Sequence, residues 1–126
     1  MIKAVKDNRI DLTVVGPEAP LAAGIVDEFN KNGLPIFGPT RTAAQIEASK
    51  VFAKQLMQKY NLPCARSSSF TDYAQAKEYV KKQTPPVVIK ADGLAAGKGV
   101  VVAGSVDQAL DALKNFMKSK TLGAAG

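Results

Sequence analysis

The stretch Pro85 to Ala103, PPVVIKADGLAAGKGVVVA, constrains the fold more than any other part of the chain. Two β-branched runs, Val87 to Lys90 and Gly99 to Val102, are separated by a loop that holds Gly93, Gly97 and Gly99. This spacing predicts a strand, a loop and a strand. Pro85 and Pro86 cannot continue a helix, so they end whatever precedes the first strand. The glycines permit backbone at positive φ and close approach of N–H groups to a ligand, while Ala95 and Ala96 keep bulk out of the loop. Lys90 ends a strand and so projects from a rigid element, and Lys98 lies in the loop, within swing of an anionic group. No G-x-x-x-x-G-K-[ST] occurs and the glycines do not open a helix, so this is not a Walker A loop. Two readings stand at this point: a loop that covers phosphate, or a glycine-rich hairpin with two solvated lysines.

Composition removes several classes of chemistry. There is no histidine, and Cys64 is the only cysteine, so disulfides, Cys/His zinc sites and histidine-based triads are excluded. Cys64 follows Pro63 and reads as a small, half-buried apolar residue, since no base partner accompanies it. Any reaction must use lysine, arginine, carboxylates or backbone. The net charge of +6, from 17 Lys+Arg against 11 Asp+Glu, raises an anionic small molecule or a nucleic acid as partner. The lysines are spread along helices and aromatic content is 6%, which argues against nucleic acid and for a solvated basic face. With 46% hydrophobic and 22% charged residues over 126 positions, one ordinary globular core is feasible. Neither a membrane span nor a secretory signal is visible, so the expectation is a soluble cytoplasmic protein.

The chain in order reads as α/β. Met1 to Asn8 reads as the last turns of a helix, with Ile2 and Val5 as its apolar points, and Ile10 to Val15 is a β-branched run closed by Gly16-Pro17. Leu21, Ile25, Val26 and Phe29 follow at helical spacing up to an Asn32-Gly33 stop, and Pro35 to Phe37 is a second strand. The order is β-α-β. Gly16, Pro17 and Glu18 then lie at the carboxyl end of the first strand, where open α/β sheets hold ligands. Glu18 either contacts a polar substrate or complements the positive end of the next helix. Thr42 with Gln45 makes a capping-box pattern, and Ser49 caps a further helix with an apolar stripe at Phe52, Ala53, Leu56, Met57 and Tyr60. Lys50 falls in that helix's first turn, where a cation is disfavoured by about 0.3 to 1 kcal/mol; an anionic ligand would account for it, and so would chance placement at the surface. Thr71-Asp72 caps a helix that runs to about Lys82, with Tyr73, Ala76 and Val80 inward. Ser105 with Gln108 caps the last helix, whose stripe is Val106, Ala109, Leu110, Leu113, Phe116 and Met117.

Three motifs carry a resemblance that covers nearly the whole chain. GPEAPLAAGIV (Gly16 to Val26), FGPT with AAQIEASK (Phe37 to Thr40 and Ala43 to Lys50) and VIKADGLAAGKGVVVA (Val88 to Ala103) resemble the phosphoribosylamine–glycine ligase, or glycinamide ribonucleotide synthetase, family of the ATP-grasp superfamily. DGLAAGKG alone would suggest only the superfamily. The resemblance implies that residues 1–47 are the back part of an N-terminal substrate (phosphoribosylamine) domain. It implies that residues 48–126 begin an ATP-grasp domain, with residues 85–118 in its small nucleotide-clamping lobe.

The implied reaction joins glycine to 5-phosphoribosylamine at the expense of ATP, with Mg2+ or Mn2+, in de novo purine synthesis. By the same resemblance Lys50 and Lys90 contact the nucleotide. Asp92, Gly93, Leu94, Ala95, Ala96, Gly97, Lys98 and Gly99 form the loop over the triphosphate, and Gly16, Pro17 and Glu18 lie near the phosphoribosylamine site. No catalytic residue and no metal ligand is assigned within the 126 residues. Family members also carry segments before and after those matched, so the span is expected to be an internal fragment that does not turn over alone. Its parent is expected to be monomeric or fused to other purine enzymes. Unpaired sheet edges and exposed apolar faces are expected as well. Two alternatives remain: another ATP-grasp ligase with a different carboxylate and amine, which GPEAPL and EASK argue against, and a non-catalytic nucleotide-binding module.

Overall fold

A computed structural model describes residues 1–95 and 97–123 as a mixture of helices and short strands. They divide into two compact units, Met1–Ala48 and Ser49–Gly126.

The first unit holds α1 (Ile2–Asp7), β1 (Thr13–Val14), α2 (Glu18–Ala23), α3 (Ile25–Lys31), β2 (Ile36–Phe37) and α4 (Arg41–Ala48). β1 and β2 pair in parallel, Thr13 opposite Ile36 and Val14 opposite Phe37, as a β-α-β order requires. Leu21, Val26 and Ala44 form its buried cluster, with Val15, Ile25 and Ile36 packed against them. Gly38, just past β2, lies under that cluster: a Cβ there would stand 2.8 Å from Leu21 Cδ2 and 3.2 Å from Val26 Cγ2.

Three sequence expectations change here. The run Ile10 to Val15 forms a strand only at Thr13–Val14, opposite a partner, β2, that is itself only Ile36–Phe37, and Ile10 and Leu12 stay exposed. The helical stripe from Leu21 to Phe29 is two helices, broken at Gly24 in the left-handed region (φ 90°). The Arg41 side chain covers that break. Its guanidinium donates to Ala23 O, its backbone N–H donates to Asp27 Oδ2 (2.7 Å), and a Cβ on Gly24 would lie 2.7 Å from Arg41 Nε. Finally, the cap of α4 is Thr40, whose Oγ1 accepts from Ala43 N (3.4 Å), so the helix starts before the Thr42–Gln45 pattern.

The second unit holds α5 (Lys50–Lys59), α6 (Tyr73–Lys81), β3 (Val87–Lys90), β4 (Val100–Ala103) and α7 (Val106–Met117). β3 and β4 are antiparallel, with Val87 opposite Ala103 and Lys90 opposite Val100. Ile89, Ala91 and Ala103 are buried with Ala76 and Val80 of α6 and with Ala109, Ala112, Leu113 and Phe116 of α7. The period-2 alternation therefore turns the other face outward: Val88 is 49% exposed, Val100 44% and Val102 69%, with Lys90 among them. The expected caps form on all three helices. Ser49 Oγ accepts from Phe52 N (3.1 Å), Asp72 Oδ1 from Gln75 N (2.8 Å) and Ser105 Oγ from Gln108 N (3.2 Å), while Gln108 Oε1 reaches back to Gly104 N (2.8 Å). The stripe on α5 is another matter: no residue of that helix is buried. On α6, Lys81 pairs with Glu78 (2.7 Å) and, by that hydrogen bond and its charge, holds the exposed Glu78 carboxyl below the usual carboxylate range. No described helix is long and apolar enough to cross a membrane.

The contrast between α5 and α7 is measurable. Truncating Phe116 to alanine should cost about 3–5 kcal/mol of unfolding free energy, as for a buried aromatic. Truncating Phe52, 36% exposed, should cost less than about 1 kcal/mol. Urea unfolding of the two variants checks the difference.

Candidate functional site

The glycine-rich loop grows out of a well-anchored hairpin. Ala91, buried, donates its N–H to Gly99 O (2.9 Å) and so extends the β3–β4 ladder by one rung beyond Lys90. Gly93 (φ 96°) and Gly97 (φ 78°) adopt the left-handed backbone that other residues resist. Lys98 N closes back on Ala95 O (2.9 Å). Gly99 has a second reason to be glycine: a Cβ on it would lie 2.8 Å from Ala95 Cβ and 3.3 Å from Ala91 Cβ, and neither alanine has a side chain that can swing away. Leu94, Gly97 and Lys98 are exposed, and Lys90 leaves the sheet on the face opposite α6 and α7. Ala96, also expected in this loop, lies outside the described residues.

The N-terminus of α5 meets this loop. Asp92 accepts from Ser49 Oγ (3.0 Å to Oδ2, 3.3 Å to Oδ1) and from Val51 N (3.2 Å). Lys50 Nζ donates to Gly93 O (3.2 Å). The disfavoured cation in the first turn thus has an internal partner, and a carboxylate faces the positive end of the helix. The ion pairs among the described residues are Lys3–Asp7 and Lys81–Glu78; neither involves Lys50, Lys90 or Lys98. Ammonium groups without a carboxylate partner, beside a loop of close-approach backbone, suit an anionic ligand by charge and hydrogen bonding. They do not suit a general base, which needs a deprotonated group able to accept a proton.

The family resemblance implies that Lys50 and the loop share one site, but no local signal in the sequence marks Asp92 as a partner of α5. The Ser49 cap is local and visible; the bonds from Asp92 to Ser49 and Val51 span 43 and 41 residues and carry no local signature. Gly16, Pro17 and Glu18 lie in the first unit. All three are exposed, and Glu18 occupies the first turn of α2, whose N-cap Pro17 provides no side-chain bond. A Cβ placed on Gly16 would meet nothing within 4 Å, so this loop faces open space. Among the described residues, no group of three or more Cys, Asp or Glu side chains is arranged to hold a metal ion.

Known proteins match both units. Residues 1–47 match the family model described as phosphoribosylglycinamide synthetase, N domain, and residues 48–126 match phosphoribosylglycinamide synthetase, ATP-grasp (A) domain. A Halalkalibacterium halodurans protein named phosphoribosylamine–glycine ligase is 51% identical over all 126 residues. A Vibrio parahaemolyticus protein of the same name is 48% identical over the same span. The chain spans 29% of the length of each of these relatives. The crystal structure of phosphoribosylamine–glycine ligase from Thermotoga maritima matches with a TM-score of 0.70 and 32% identity, over 89% of this chain and 27% of that one. Two family models that meet at residue 48 and together account for every residue show that the chain belongs to the phosphoribosylglycinamide synthetase family.

Proposed function

We propose that the chain is part of a cytoplasmic ligase of de novo purine synthesis. In the proposed reaction a glycine carboxylate oxygen attacks the γ-phosphorus of ATP, ADP leaves, and glycyl phosphate forms. The amine of 5-phosphoribosylamine then attacks the acyl carbon, phosphate leaves, and the nitrogen loses a proton to give glycinamide ribonucleotide. The observation that carries the reading is the meeting of Lys50, at the first position of α5, with the glycine-rich loop that follows Lys90. The Halalkalibacterium halodurans and Vibrio parahaemolyticus relatives match across this whole region, which supports the same assignment.

Phosphoryl and acyl transfer of this kind depends chiefly on positioning and on neutralising developing negative charge. In the proposed site Lys50, Lys90 and Lys98 neutralise phosphate oxygens, and backbone N–H groups from Gly93, Leu94, Ala95, Gly97 and Gly99 approach them. Gly16, Pro17 and Glu18 are assigned to the phosphoribosylamine side, with the Glu18 carboxylate available to the substrate's polar groups. A divalent cation does not fit the residues present: no ligand cluster exists among those described, and Asp92 already accepts from Val51 N and Ser49 Oγ. Any metal ligands are assigned to the portion of the longer protein beyond this span. A single polypeptide, alone or fused to other purine enzymes, is the expected form.

Two outcomes follow. ADP release by the full-length protein with ATP and magnesium should require both glycine and 5-phosphoribosylamine. Equal release with another amino acid in place of glycine would move the protein to a different ligase, and the 126-residue span alone should give no sustained release. Secondly, Gly99→Ala should raise the KM for ATP about tenfold or more. Its methyl requires the Ala95 to Gly99 backbone to shift, and one lost charge-assisted hydrogen bond is worth about 1.5–3 kcal/mol. Steady-state titration with ATP reads this directly.

A further inference from the structure

The helix that carries Lys50 is poorly held by apolar packing. No residue of α5 is buried, whereas α6 and α7 each bury residues against the hairpin. What ties the start of α5 to the loop is polar: the Asp92 carboxylate on Val51 N–H and the Ser49 hydroxyl, and the Gly93 carbonyl on the Lys50 ammonium.

These bonds form a directed set. Ser49 Oγ accepts from Phe52 N, so its proton is turned to Asp92. Val51 and Phe52, the second and third residues of the helix, would otherwise carry unsatisfied N–H groups. A carboxylate at this end opposes the helix dipole, which would otherwise repel the ammonium beside it. Yet Asp92 makes no ion pair with Lys50: the ammonium donates once, to a neutral carbonyl, and keeps two donors and its full charge. Asp92 in turn follows Ala91, which is buried in the hairpin core and bonded to Gly99. The rigid part of the lobe therefore reaches the start of α5 through the Asp92 side chain and the Gly93 carbonyl.

We propose that Asp92 is a positioning residue, which holds the start of α5 against the glycine-rich loop so that Lys50 faces a phosphate with its charge unneutralised, and which does not itself touch nucleotide or metal. This rests on the reading of Lys50 as a phosphate-contacting lysine.

The test is a double-mutant cycle in the full-length protein, with ADP release followed against ATP concentration for the parent, Lys50→Met, Asp92→Asn and the double variant. Lys50→Met and Asp92→Asn should each raise the KM for ATP about tenfold, and the double variant should stay within about twofold of Lys50→Met, because Asp92 acts through the lysine. Ser49→Ala, which removes the hydroxyl's bond to Asp92 together with its cap on the Phe52 N–H, should raise it about threefold, again only while Lys50 is present. It also serves if Asp92→Asn fails to fold. Full additivity in the double variant, or a raised magnesium requirement in Asp92→Asn, would overturn the proposal by showing direct contact with nucleotide or metal. A lowered melting temperature with unchanged KM would overturn it by reducing Asp92 to a structural role. An unchanged KM in Lys50→Met would instead remove the underlying reading of the lysine.

Discussion

One carboxylate against one helix end sets the geometry of the second unit's candidate site. The β3–β4 hairpin is fixed by burial: Ile89, Ala91 and Ala103 lie in a core built with α6 and α7. The helix α5 has no such anchor, since a stripe of apolar residues stabilises only when something covers it. Its start is located by hydrogen bonds to Asp92 and Gly93, both within three residues of the end of β3. Because Lys50 is the first residue of α5, the place of its ammonium is decided by the same bonds. Removing a charged partner at a helix terminus costs more than a surface ion pair, which is worth about 1 kcal/mol or less.

The hairpin itself separates its two tasks by side. The face toward α6 and α7 is alanine, isoleucine and valine and bears the packing; the opposite face holds Val88, Val100, Val102 and Lys90. Lys90 is exposed among these valines, so the sheet fixes its Cα while ordering its side chain on a ligand costs about 0.5–1.5 kcal/mol. Both sheets have two strands among the described residues, and Val14 and Phe37 of the first unit are likewise exposed. The chain spans 29% of its relatives' length.

Much of this was legible in the sequence, and the reason differs by feature. Ser49, Asp72 and Ser105 were readable as caps because a cap acts within three residues, and the period-2 valines marked β3 and β4 for the same local reason. The break at Gly24 was not readable: the apolar spacing runs through it, and only Arg41, from α4, covers the turn. Thr40 displaced Thr42 as a cap because the start of α4 is set by Asp27 holding the Arg41 N–H. The stripe on α5 announced an apolar face, but spacing says nothing about what covers it. The site was half visible. Lys50, Lys90 and the glycines stood out by type, whereas the link from Asp92 to α5 depends on two segments more than 40 residues apart that no local pattern connects.

The most direct test of the central claim is a crystal structure of the full-length protein with a non-hydrolysable ATP analogue and magnesium. The predicted result is Lys50 Nζ and Lys90 Nζ within hydrogen-bond distance of phosphate oxygens, with the Asp92 carboxylate still on the Val51 N–H and the Ser49 hydroxyl. An Asp92 oxygen bound to the metal or the nucleotide, or phosphates held with Lys50 turned away from them, would contradict it.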